Sequence, residues 1–323
     1  MSAHISLQMR ANDYLAERRR LGYELRGLDT FLEGFVRYVA DRRHRGPLTV
    51  EVITDWIRQG REGVGSRGTW AARLKRLQLF IRYLKQFEPT TEMPGKFLFG
   101  PVPGRVAPHI FHENEVVELL TLARQLGPRG SLRSATYEAL FGLLASTGLR
   151  ISEAIHLRDS DVDLKRGMLI VRQTKFAKSR QLPLHPSTVA ALAHYRKLRV
   201  RHVSSMPDGT FLISSRGRRL GQALGDRQVH RVFNSLRDSL CWVNRGAHDA
   251  PRIHDLRHTF AVRRMALWQA DGTDIEQMML ALSTYMGHAK ITDTYWYLTA
   301  VPELMALAGG KFECFAISGA LNE

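Results

Sequence analysis

"RSATYEALFGLLASTGLRISEAIHLRDSDVDL", residues 133–164, changes character twice, and the changes set the fold of the second half of the chain. "RSATYEALFGLLASTG" is a helical run so apolar on every side that it belongs inside a core. Gly148 is placed to end it, since glycine takes the left-handed conformation of a helix stop without strain. Arg150 follows directly, with Glu153 three residues on, and taken alone the two read as an arginine at a helix start paired with a carboxylate. Past Leu164 helical periodicity gives way to short alternating runs: "GMLIVRQ" and "RQLPLH" read as strands, with "TKFAKS" as the tip of a hairpin between them.

Downstream, helical spacing returns at "PSTVAALAHYRKLRV", where Pro186 and Ser187 make a helix start, and continues through "DRQVHRVFNSLRDSL", "LRHTFAVRRMALWQ" and "DIEQMMLALSTYMG". Upstream, "HENEVVELLTLARQLG" is a further helix. Before it, residues 89–108 hold five prolines and three glycines, a composition that helix interiors and central strands both resist. A domain boundary is expected there, with residues 1–92 as one domain, 93–108 as a linker and 109–323 as a second domain ending in a tail. In the first domain, "YELRGLDTFLEGFVRYVADR" spaces Leu25, Leu28, Phe31, Leu32, Phe35, Val36 and Val39 along one helix face. "LTVEVITDWIRQG" adds a helix with Thr49 as cap and Gly60 as stop, and "GTWAARLKRLQLFIRYLKQFEP" adds one ended by Pro89. The fold class is therefore mainly α with a small antiparallel sheet.

Lys and Arg number 47 against 31 Asp and Glu, a net charge of +16 and a pI near 10.3, which points first to a nucleic acid partner. The excess is +7 in residues 1–100 and +9 in the remainder, so both halves can meet phosphate. Runs such as "ERRR" and "DRRHR" are short and interleaved with apolar positions, as on basic helix faces. Cys241 and Cys314 form no CxxC pair and are read as structural residues of a reducing compartment. No stretch approaches the roughly 18 apolar residues of a membrane span, and no signal peptide is evident, so a soluble protein of the cytoplasm, associated with the nucleoid and making no membrane contact, is expected.

"HDLRH" spaces His254 and His258 as metal ligands on one helix face could be, but Asp255 stands where a zinc protease carries glutamate, and no metal is expected. "YMGHAKITDTYWYLT", residues 285–299, supplies three tyrosines, each of which reads alone as an amphipathic helix residue.

The joint order of "TGLRISEAIHL", a basic hairpin, "HDLRH" and "YMGHAKITDTYWY" resembles the tyrosine recombinase (phage integrase) family over the whole second domain. The resemblance implies that Arg150 and Arg257 are active-site arginines, Glu153 a supporting carboxylate, and His254 and His288 the two histidines. It implies that Lys175 is the hairpin lysine, with Lys178 as the alternative, and that Tyr297, nine residues after His288, is the nucleophile. Tyr285 and Tyr295 keep a structural reading, and His258 that of a helix residue. The expected fold is a helical core-binding domain plus an α+β catalytic domain forming a clamp around DNA. The expected reaction is cleavage and rejoining of double-stranded DNA by transesterification through a 3′-phosphotyrosine, without metal, ATP or other cofactor, on behalf of a mobile genetic element. The resemblance also implies a homo-tetramer on two DNA sites, with companion recombinases in some systems. For the tail after Tyr297 the resemblance implies packing into a neighbouring protomer, and folding back on its own domain is the alternative expectation. Two competing readings share the composition: a type IB topoisomerase-like enzyme acting alone, and a DNA-binding accessory factor without catalysis.

Overall fold

The computed structural model describes residues 6–23, 25, 27–59, 66–128, 130–172, 179–203 and 209–300. The chain divides into two compact units, one running to Arg105 and the other beginning at Val106.

The first unit is built from α1 (Leu7–Arg20), α2 (Leu28–Asp41), α3 (Val50–Arg58) and α4 (Arg67–Leu84). Ser6, Thr49 and Ser66 cap α1, α3 and α4, each side-chain oxygen accepting a backbone N–H three residues on at 3.2–3.3 Å. Leu32, Phe35, Ile53, Ile57, Leu74, Leu77, Ile81 and Leu84 form its core. Phe99 packs into the same core, so the proline-rich segment folds on this unit well beyond residue 92.

Two local readings of the sequence change here. Helix α2 begins at Leu28 rather than near Tyr23, because Leu25 and Gly27 both take positive φ, 49° and 67°, and the left-handed turn breaks the run. Helix α4 stops at Leu84, before Pro89 is reached, in a turn closed by Phe87 N–H and Glu88 N–H on Leu84 O at 2.9 Å. Gly60 lies outside the described residues.

The second unit comprises α5 (Glu113–Ala123), α6 (Leu132–Thr147), α7 (Ile151–Ile155), β1 (Val162–Asp163), β2 (Met168–Val171), β3 (Arg180–Pro183), α8 (Pro186–Val200), α9 (Asp226–Leu240), α10 (Asp255–Ala270), α11 (Ile275–Met286) and α12 (Thr292–Ala300). The strands form one antiparallel sheet in the order β1-β2-β3, with Leu169 opposite Leu182 and Val171 opposite Arg180. Helix α6 is the central post of this unit and packs against α5, α8 and α10. Its Leu140, Phe141, Leu143 and Leu144 are buried together with Leu169, Leu182, Phe211 and Phe233. A separate cluster of Ala261, Met265, Met279, Leu282, Met286 and Tyr297 joins α10, α11 and α12. Among the described residues no helix is long and apolar enough to cross a membrane.

Gly148 ends α6 at φ 62°, and a Cβ on it would stand 2.6 Å from the Phe260 ring and 3.1 Å from Met286 Sδ. Gly148→Ala therefore combines a left-handed non-glycine residue with a clash against the half-buried Phe260 ring and the buried Met286. We expect a loss of about 2–4 kcal/mol in urea unfolding. Unchanged stability would mean that Phe260 gives way freely.

Candidate active site

Three arginines meet at the C-terminus of α11, where the last carbonyls of a helix are left without intrahelical partners and carry partial negative charge. Arg180 Nε donates to Tyr285 O at 2.8 Å, Arg257 Nη2 to Met286 O at 2.7 Å, and Arg150 Nη2 to Gly287 O at 3.0 Å. Three consecutive carbonyls thus take three guanidiniums from three separate parts of the chain. Gly287 makes this end possible by closing α11 at φ 66°.

Each arginine has a further anchor. Arg257 is 3% exposed and donates Nη1 to Gly148 O at 2.6 Å, so one guanidinium ties the C-terminal ends of α6 and α11 together. Burial first, and the nearby charge of Arg150 second, pull Arg257 down to about 10, which leaves it charged at neutral pH. Arg150 directly precedes α7, with Nη1 donating to Glu153 Oε1 at 2.9 Å and its backbone N–H to Oε2 at 3.0 Å. Burial of Glu153 opposes its charge, but the hydrogen bonds and charge of Arg180, joined by Arg150, outweigh it and hold the carboxyl below its usual range.

The histidines and the tyrosine stand beside this cluster. His254 immediately precedes α10, while Arg257 and His258 lie in its first turn, and the rings of His254 and His258 meet edge to face at 4.8 Å. Loss of hydration among the neighbouring groups lowers the His254 pKa first, and the charges of Arg257 and Arg252 add to it, bringing it to about 4 against the pull of Asp255. The residue as a whole is nonetheless exposed, so an anion arriving there would relieve the repulsion. Asp255 is fully buried and accepts from the backbone N–H and Nη2 of Arg252, both at 2.8 Å, which fixes the start of α10. His288 Nδ1 lies 2.7 Å from Thr294 Oγ1, tying the loop after α11 to α12. Tyr297, on α12, is 1% exposed, and its ring lies nearly parallel to that of His288 at 6.4 Å.

His258 reaches Tyr297: its Nδ1 is 2.8 Å from the phenol oxygen. The sequence offered it only as a helix residue. Burial and then the neighbouring His254 keep its pKa far below the usual imidazole range, so the ring is neutral and its contact with the phenol is an uncharged hydrogen bond. Arg180 is the second residue that the sequence reading missed. A signal for it exists, because Arg180 and Leu182 are alternate residues of β3 and Leu182 is buried, so the arginine points inward and needs a carboxylate. Tyr285 stacks on Phe260 at 5.5 Å, in keeping with a packing role, whereas Tyr295 is 37% exposed and is not a core residue. Lys175 and Lys178 lie outside the described residues, as does the tail beyond Ala300. The fold therefore brings Arg150, Glu153, His254, Arg257, His288 and Tyr297 into one region of the second unit, around the ends of α6 and α11.

The sequence signature of the Phage integrase family matches residues 109–303. The protein y4rB of Sinorhizobium fredii, provisionally named an integrase/recombinase, is 36% identical over 308 residues, covering 93% of this chain and 95% of its own. Tyrosine recombinase XerC of Alcanivorax borkumensis is 28% identical over 240 residues, covering 74% of this chain and 70% of its own. Among solved structures, the Tn1549 transposon integrase in complex with transposon right end DNA superposes with a TM-score of 0.62 at 17% identity, over 94% of this chain and all of that one (100%). A lambda integrase dimer bound to a COC′ core site gives 0.61 at 17% identity, over 91% of this chain and 77% of that one. These two likenesses establish the fold, and the family match with the y4rB identity goes further: the chain belongs to the phage integrase family, the tyrosine recombinases.

Proposed function

We propose that this chain is a site-specific DNA recombinase or integrase of a mobile genetic element, with Tyr297 as the nucleophile. The observation that carries the assignment of residues is the pair Arg150 and Arg257, held on the adjacent carbonyls of Gly287 and Met286. Two guanidiniums fixed in advance can clamp the non-bridging oxygens of a phosphodiester as negative charge spreads over them, with little reorganisation at the moment of reaction. That the Tn1549 and lambda integrases were solved on DNA supports double-stranded DNA as the partner.

In this reading the phenol oxygen of Tyr297 attacks phosphorus, the bond to the 5′-oxygen breaks, and a 3′-phosphotyrosine forms. A phenol ionises near pH 10, so the attack needs a proton acceptor and a cationic field, which His254 and the arginines supply. His254 and His288 each donate a hydrogen bond to the phosphate, and Lys175 on the hairpin gives the 5′-oxygen its proton. Glu153 holds Arg150 in place. Because Tyr297 is buried against His258 and His288, the phenol has to leave that packing to meet a phosphorus. The energy of the broken bond is kept in the phosphotyrosine, so rejoining to the same or a new 5′-hydroxyl needs no ATP. The first unit, with Arg67, Lys75 and Arg82 exposed on α4, is the core-binding partner in a clamp on the duplex, and a tetramer on two sites is the working assembly.

The test is a nicked duplex carrying the termini of the protein's genomic locus, incubated with the full chain in excess EDTA and resolved on a denaturing gel. A covalent adduct is expected, with phosphate mapped to Tyr297 by mass spectrometry. An adduct that forms only when magnesium is restored would defeat the mechanism. Relaxation of supercoiled DNA by single molecules, without strand exchange, would favour a topoisomerase-like activity instead.

A further inference from the structure

Arg180 opens β3, is 9% exposed at its side chain, and belongs to none of the groups assigned to the reaction above. Its guanidinium commits a donor in each direction: Nη1 to Glu153 Oε1 at 3.1 Å, Nη2 to Glu153 Oε2 at 2.8 Å, and Nε to Tyr285 O at 2.8 Å. The fork on Glu153 is bidentate, the geometry that only an arginine supplies. Glu153 Oε1 is also the oxygen that accepts from Arg150 Nη1. One carboxylate is therefore divided between two guanidiniums, leaving the group with a net positive charge. Without Arg180, Glu153 would turn its whole charge on Arg150 and compete with any phosphate for it. Contact with the backbone is equally close: a Cβ on Gly287 would fall 2.6 Å from Arg180 Nη1 and 2.8 Å from Cζ. The same guanidinium thus supports the turn whose carbonyl aims Arg150.

We propose that Arg180 is a positioning residue of the recombinase site: it holds Glu153 and the end of α11 so that Arg150 keeps its charge and its aim for the scissile phosphate. The inference rests on the assignment of Arg150 to the phosphate. It also links the hairpin to the site, since β3 carries the chain away from the segment that contains Lys175 and docks it on α11.

A mutant cycle tests this with full-length protein, the nicked duplex in EDTA, and the single-turnover rate of adduct formation. Arg180→Ala is expected to slow the adduct by about 10- to 100-fold, the loss of one to two charge-assisted hydrogen bonds. DNA affinity by gel shift should stay within about threefold, since no phosphate contact is removed. In a Glu153→Gln background the same Arg180→Ala change should cost several-fold less than in the wild type, because the charge that Arg180 offsets is already gone and only its hold on the end of α11 is lost. Arg180→Lys, which keeps the charge and loses the fork, should fall between Arg180→Ala and wild type, and it carries the cycle if the alanine variant fails to fold. Equal cost in both backgrounds, or a wild-type rate for the single variants, overturns the proposal. Failure of the underlying assignment looks different: Arg150→Ala would then form the adduct at the wild-type rate, and the proposal would fall with it.

Discussion

Tyr297→Phe is expected to form no covalent adduct, with strand cleavage reduced by about 10⁴-fold or more, because removal of a nucleophile takes away the bond-forming atom itself. The structural cost of the change is small. The phenol oxygen makes a neutral hydrogen bond with His258 Nδ1 at 2.8 Å, and losing it is worth about 1 kcal/mol, while the ring keeps its packing with Met286 and Leu282. DNA binding and thermal stability should therefore be nearly those of the parent protein, which separates loss of chemistry from loss of fold. The other phenols nearby make the outcome informative. Tyr285 is stacked on Phe260, and Tyr295, on the same helix as Tyr297, is exposed. An adduct that persists in Tyr297→Phe and vanishes in Tyr295→Phe would reassign the nucleophile to the exposed phenol.

The parts legible in the sequence were those governed by local rules. Gly148 as the end of α6, Thr49 as the cap of α3 and the two strands flanking "TKFAKS" all follow from conformational preference and periodicity. Helix α1 escaped the reading because its buried stripe is only Ala11, Tyr14 and Leu15 amid charged residues, too thin for periodicity to reveal. The family order of arginine, histidines and tyrosine named the candidate residues but not what holds them. Nothing local in "SRQLPL" says that Arg180 meets Glu153, 27 positions earlier, or that Arg257 joins Gly148, 109 positions earlier. The second pairing arises because α6 and α11 end at the same place, and unpaired helix-end carbonyls are what a buried arginine can satisfy; the first arises because an inward-facing arginine on β3 meets the one carboxylate that α7 places there.

Arg257→Ala should show both sides of that arrangement at once. Catalytically, it removes one of the two guanidiniums proposed to stabilise the phosphorane-like charge, for which a loss of about 10²- to 10³-fold in adduct formation is expected. Structurally, it deprives the buried ends of two helices of their shared donor, leaving Gly148 O and Met286 O without it. The destabilisation should be about 2–4 kcal/mol, reduced somewhat because the repulsion between Arg257 and Arg150 also disappears. Arg257→Lys separates the two consequences. A lysine keeps a charge but cannot span two carbonyls on different helices with a planar fork, so it should recover part of the stability and little of the rate. Urea unfolding and single-turnover cleavage on the same preparations check the pair. A lysine variant as fast as wild type would mean that charge alone suffices at this position, and that the fixed geometry at the end of α11 is a feature of the fold without a share in the chemistry.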